Sequence, residues 1–195
     1  MNLEPLKRGR SVPLRGDLRA ALLTSEDMPE IVEMLNTPAV VEYLFFAPSP
    51  DAVYEGYFRP IIENTGKAIR EGTWPECPTI VIRDGAGKFM GMCGVDAVRL
   101  HPGNYEIGFQ LPVHAWRQGI ATAACRSMTA LAFEELGAHK VAADCYAGNA
   151  GSRRVLEKCG YRREGIQEKY YKRESGFDDR VLYGMTAGYY AGRGK

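Results

Sequence analysis

The stretch from Tyr105 to Ala132 holds the residues whose order could do chemistry. Tyr105-Glu106-Ile107-Gly108-Phe109-Gln110-Leu111 reads as a strand, and Pro112-Val113-His114-Ala115 breaks it. Trp116-Arg117-Gln118-Gly119-Ile120-Ala121-Thr122 then leads into a helix with no acidic residue until Glu134. A helix start leaves its first N–H groups without partners and carries the positive end of the dipole. A small-residue turn there lets an anion rest against bare backbone. The order predicts a strand–turn–helix that grips a phosphate or diphosphate. Alone the pattern is weak, because one glycine in such a turn is commonly a packing device. The glycine spacing of a dinucleotide fingerprint is missing, and no Lys-Ser/Thr pair follows to make a nucleoside-triphosphate loop.

The elements that must position this turn follow from periodicity. Residues 1–13 are polar and basic, with Pro5 and Pro13, and read as a loosely held arm. A first strand is expected over Leu18 to Leu23. Thr24 and Asp27 make a helix-start pair, and Met28, Ile31, Val32 and Leu35 share one helix face. Ala39 to Phe46 reads as a short helix or turn, and Asp51 opens a second helical region in which Pro60 predicts a kink or two abutting helices. Thr79 to Arg83, Lys88 to Val95 and Tyr105 to Leu111 form an antiparallel meander. Gly91 and Gly94 suggest a bulge or a close backbone approach within it. The helix after Gly119 stops at Gly137, and His139 to Tyr146 returns as a strand parallel to the one before the helix. Ala150 to Cys159 is a short helix, and Tyr161 to Arg173 with Val181 to Ala187 closes the chain as a hairpin around Glu174 to Asp179.

Composition bounds the function. The 195 residues suit one domain, and 25 Lys+Arg against 24 Asp+Glu leave no excess charge for a surface built to bind nucleic acid. No apolar run is long enough to span a bilayer, and no apolar segment follows the basic N-terminus as a secretory signal would need. Cys77, Cys93, Cys125, Cys145 and Cys159 are odd in number and lack metal-ligand spacing, as do His101, His114 and His139. The expectation is a cytoplasmic protein with reduced, mostly buried thiols and no metal.

The element order, taken with Leu14-Arg15-Gly16, residues 37–44 (Thr37 to Leu44), Tyr105 to Phe109, Arg117 to Thr122 and residues 149–161 (Asn149 to Tyr161), resembles the GNAT superfamily of acyl-CoA-dependent N-acetyltransferases. The detail is similar to the RimJ/RimL branch, which acetylates ribosomal-protein N-termini. The likeness covers about residues 14–187. It implies an α+β (α/β) fold, a mixed, mostly antiparallel sheet of about six to seven strands flanked by about four helices. The domain then spans 14–190, with a tail at 191–195. Two positions depart from the family pattern. Trp116 stands where the family's turn often begins with Arg or Gln, and Leu156 stands where many relatives carry an acid tyrosine.

The resemblance also implies residue roles. Acetyl-CoA would rest its diphosphate on the amides of Gln118, Gly119, Ile120, Ala121 and Thr122, beside Arg117. Its pantetheine arm would bond backbone near Leu111 and Val113 and be held by Asn149 and Ser152. Glu106 is the implied base, with Asp96 and Glu168 in reserve, and Ser152 would protonate the leaving thiolate. Tyr43, Phe45, Phe46 and Trp74 would wall the acceptor amine, which is a protein N-terminus or a small molecule. Each role has a plain rival: a solvated charge for Arg117, a cross-sheet pair for Glu106, helix caps for Asn149 and Ser152, and core packing for the aromatics. A non-catalytic acyl-CoA sensor on the same fold is the alternative, and the family admits monomers and homodimers.

Overall fold

The computed structural model describes residues 2–173 and 176–193. Its strands are β1 (Val12–Arg15), β2 (Leu18–Leu22), β3 (Thr79–Arg83), β4 (Phe89–Ala97), β5 (Asn104–Gln110), β6 (Lys140–Tyr146), β7 (Arg162–Arg173) and β8 (Gly176–Thr186). Its helices are α1 (Met28–Leu35), α2 (Pro38–Val41), α3 (Asp51–Glu71), α4 (Ile120–Glu134), α5 (Ala150–Cys159) and α6 (Ala187–Gly192). The strands form one sheet in the order β1-β2-β3-β4-β5-β6-β8-β7. Among the described residues β5 and β6 are the parallel pair, joined by α4, and the other neighbours run antiparallel.

Alternation along the strands assigns the two faces. Ile80, Ile82, Cys93, Val95, Ile107, Val141 and Ala143 join the core under α4 and α5, with Met128 and Leu131 of α4 and Leu156 of α5. Val81, Phe89 and Met92 point the other way, onto Ile31 and Leu35 of α1 and Tyr54 and Phe58 of α3. Burial on both faces is why β3 reads as an unbroken apolar run.

Eight strands and six α-helices exceed the six to seven and four expected from sequence. The added strand is β1, whose Val12 and Leu14 point inward while Pro13 and Arg15 face out. A proline fits there because β1 is a sheet edge and its missing N–H costs no ladder bond. The residues read as a loosely held arm are packed: Leu3 and Leu6 are buried in the core and 4–8 form a 3₁₀ turn. α6 replaces the end of the closing strand and part of the tail, with Tyr190 stacked on Phe133 at 4.7 Å and bonded to Glu134 at 2.6 Å. Pro60 neither splits nor ends α3, which runs unbroken for 21 residues with Pro60 on its exposed side. The expected hairpin forms as β7 and β8, although Glu174 and Ser175 of its turn lie outside the described residues. β8 inserts between β6 and β7.

Candidate active site

β5 and β6 pair at Asn104/Lys140, Tyr105/Val141 and Glu106/Ala142, and there the pairing stops. Each strand then follows its outer neighbour. β5 stays on β4 as far as Gln110/Met92, and β6 stays on β8 as far as Tyr146/Arg180. The result is a fork in the sheet whose inner edges carry backbone groups without a strand partner.

The turn at the fork's end is built by two left-handed residues, Arg117 at φ 61° and Gly119 at φ 76°. Gly119 sits immediately before α4. A β-carbon there would lie 2.3 Å from Arg15 Nη1, so the glycine also makes room for that guanidinium. Arg15 donates to the Gln118 carbonyl at 2.7 Å, and Gln118 Nε2 donates to the His114 carbonyl at 2.7 Å. Trp116 Nε1 donates to the Leu111 carbonyl at 2.8 Å. These bonds occupy the carbonyls of Leu111, His114 and Gln118. Among the described residues, no hydrogen bond uses the backbone N–H groups of 118–122, and the first turn of α4 has no acidic side chain. A nest of free amides at a helix start suits an anion.

Three carboxylates meet where the fork opens, on the face away from α4. Asp96 of β4 stands opposite Glu106 of β5 in register. Asp144 lies two residues beyond Ala142, the β6 partner of Glu106, and so on the same face. Glu106 as a whole residue stays exposed, yet its carboxyl is crowded, and burial and then the neighbouring Asp144 raise its pKa from the usual carboxylate value. Burial would raise Asp144 as well, but its ion pair with Arg180 and a 2.7 Å bond from Tyr171 Oη hold it low. Asp96 is raised by burial and accepts from Tyr57 Oη at 3.3 Å. The set is therefore split into one low carboxylate and two raised ones.

Two cavities of about 340 and 320 Å³ flank this cluster. They share Phe45, Phe46, Tyr57, Asp96, Gly108 and Gln110, so they form one continuous cleft from α3 to the fork.

Residues 17–162 match the acetyltransferase (GNAT) domain family. The chain belongs to the GNAT acetyltransferase family. Among curated relatives, the "Putative ribosomal N-acetyltransferase YdaF" of Bacillus subtilis (strain 168) is 30% identical over 146 residues, 74% of this chain and 77% of that protein. The "Uncharacterized N-acetyltransferase p20" of Bacillus licheniformis is 23% identical over 167 residues, 86% of this chain and 91% of its own. The fold is shared with the spermidine N-acetyltransferase of Vibrio cholerae in complex with CoA and spermine (TM-score 0.76, 17% identity, 91% of this chain and 99% of that one). It is also shared with the ribosomal-protein-S5-alanine acetyltransferase of Vibrio fischeri (TM-score 0.74, 17% identity, 91% and 97%).

In this GNAT chain the residues anticipated from sequence fall into three groups. Glu106, Asn149, Ser152, Tyr43, Phe45 and Phe46 all line the cleft. The turn residues 117–122 stand at the fork's end as described. Leu111 and Val113 flank it, but their carbonyls are engaged by Trp116, through its indole and at 3.2 Å through its backbone N–H. Asn149 caps α5 by accepting from the Ser152 N–H at 3.0 Å, so its capping role is present in full. Leu156 is buried against the cleft, leaving no tyrosine on α5.

Trp74 does not join them. It lines neither cavity, bonds Glu135 at 3.1 Å and lies under the Lys7 ammonium at 5.3 Å. Glu168 is exposed on β7 and also lines neither cavity. Sequence reasoning missed Arg15, Asp144, Arg180 and Tyr171. A signal existed for Asp144, a lone acid inside the apolar run Val141-Ala142-Ala143-Asp144-Cys145. Arg15 entered only as part of the Leu14-Arg15-Gly16 likeness, and nothing in the sequence tied it to Gln118, its partner 103 residues away.

Proposed function

We propose that this chain moves an acetyl group from acetyl-CoA to a primary amine by direct attack. The observation that carries the proposal is the carboxylate cluster at the mouth of the β5/β6 fork, with free amides at the fork's far end. The residues suit the coenzyme. Among the described residues the N–H groups of 118–122 have no hydrogen-bond partner, and Arg15 adds a cation beside them. Bound acetyl-CoA would supply the activated thioester.

The chain's own groups then divide the work. The cluster of Asp96, Glu106 and Asp144 draws in an amine that arrives as ammonium. Glu106 takes the ammonium proton, directly or through water. Its raised pKa brings its basicity nearer neutrality, which favours proton transfer. Asp144 is held anionic by Arg180 and stabilises positive charge near the attacking nitrogen. As the N–C bond forms and the C–S bond breaks, Ser152 gives its hydroxyl proton to the departing sulfur and regains one, through water, from the attacking nitrogen, which sheds its second proton on becoming an amide.

The acceptor is a protein N-terminal amine, as the RimJ/RimL likeness suggests, or a small amine. A panel of peptides and free amines scored by release of the CoA thiol tests the reading. Thiol release that depends on an added amine is expected. Tight CoA binding with no release for any amine would favour the sensor reading instead.

A further inference from the structure

The register of β4 and β5 lays out the acceptor end of the cleft in three steps. The first cross-strand pair is Asp96/Glu106, the next on the same face is Gly94/Gly108, and the third is Met92/Gln110. The middle pair has no side chains, so the sheet offers a bare floor directly beside the carboxylates. All of these except Glu106 line the 340 Å³ cavity, which α3 roofs with Tyr54, Tyr57, Phe58 and Ile61. Phe45 and Phe46 line it too, and Phe45 is 76% exposed. Exposed aromatic rings at the rim of an apolar hollow mark a surface that an apolar ligand would cover.

We propose that the acceptor is a primary amine bearing a bulky apolar group, aromatic or branched aliphatic, close to its nitrogen. This rests on the acetyltransferase reading above. The ammonium would lie among Asp96, Glu106 and Asp144, and the apolar group over Gly94 and Gly108. The charge pattern of the 340 Å³ cavity disfavours a polyamine that runs from the carboxylates into the hollow under α3. Among the described residues that line that cavity Asp96 is the single ionisable carboxylate, so a second ammonium deeper in would lack a carboxylate partner. A methyl-sized substituent would leave most of the aromatic wall uncovered.

The test is a series of acceptors assayed for kcat/KM with acetyl-CoA. One arm holds tripeptide amides beginning with Phe or Leu, and another holds phenethylamine and isopentylamine, so that peptide and free-amine sources are separated. The comparison arm holds a tripeptide amide beginning with Ala, ethylamine and spermidine. Burying one large apolar side chain predicts a preference of about ten- to a hundredfold for the bulky amines in one or both arms. Two variants should collapse that ratio toward one. Gly108→Val adds bulk to the floor where the nearest atom to a new β-carbon is Gln110 Nε2 at 3.8 Å, and Ile61→Trp fills the hollow from α3. Using the ratio cancels any general loss of activity. Turnover in which spermidine or the Ala peptide equals the bulky amines, or a ratio that both variants leave intact, overturns this inference alone. Tight CoA binding with no thiol release for any amine overturns the acetyltransferase reading together with it.

Discussion

Gly119→Ala separates a diphosphate cradle from a mere packing turn. Gly119 holds φ 76°, and an L-residue pays about 1–2 kcal/mol to stay there. The new methyl would also lie 2.3 Å from Arg15 Nη1, so the guanidinium must swing away from the Gln118 carbonyl it now bonds at 2.7 Å. If the turn holds its shape, the strain appears as a Tm lower by roughly 2–8 °C. If it relaxes, the amides of 118–122 are re-aimed, and losing one hydrogen bond to a charged group weakens binding by roughly ten- to 150-fold. Calorimetric titration with CoA and, separately, with pantetheine reads both effects. The account expects the loss for CoA and little change for pantetheine, which lacks the diphosphate. A CoA affinity unchanged within about twofold, in a variant whose Tm has not dropped either, would refute the reasoning, because the amides of 118–122 would then have moved at no cost to binding.

The carboxylate cluster, the packed N-terminus and Trp74 yield further expectations. As the proposed base, with a pKa raised by burial and by Asp144, Glu106 would act only when deprotonated, so kcat/KM should fall as pH drops through that value, and Glu106→Gln should remove this acid limb from the profile. Arg180 lowers both Glu106 and Asp144, so Arg180→Met should move the acid limb to higher pH; an unmoved limb would mean that the pair does not control the rate. Leu6→Ala should cost about 2–5 kcal/mol in a denaturant titration, whereas a loosely held arm would cost nothing. Trp74→Phe should lower stability by about 1 kcal/mol through the lost Glu135 bond, with the acceptor KM unchanged; a raised KM would return Trp74 to the acceptor wall.

Much of the scaffold was legible because local signals agreed with tertiary demands. The boundaries of β3 and α5 follow directly from an apolar run ended at Asp84 and from an Asn149 start with a Gly160 stop. The turn before α4 was legible for the same reason, since Gly119 does occupy a left-handed position at a helix start. β1 was hidden because Val12 and Leu14 are diluted by Pro13 and Arg15, and only the sheet shows that the two apolar residues share a face. Pro60 misled because its helix-breaking cost is context-dependent, and on the exposed side of a long helix α3 absorbs it. At the site, the family resemblance singled out Glu106, and the structure places it in the cleft beside Asp96 and Asp144. Arg180 and Tyr171 reach Asp144, and Arg15 reaches the Gln118 carbonyl, from strands far away in sequence, so no spacing rule connects them. Trp74 was assigned to the acceptor wall by proximity to the helical region, while its actual partners, Lys7 and Glu135, lie far from it in sequence on either side.

The central claim is that the fork between β5 and β6 receives acetyl-CoA, with the diphosphate on the amides of 118–122. A crystal structure with CoA measures this most directly. The account predicts phosphate oxygens within hydrogen-bond distance of those N–H groups and the pantetheine arm lying between the strands beyond Glu106 and Ala142. CoA seated elsewhere, with the fork closed by further pairing of β5 and β6, would contradict it.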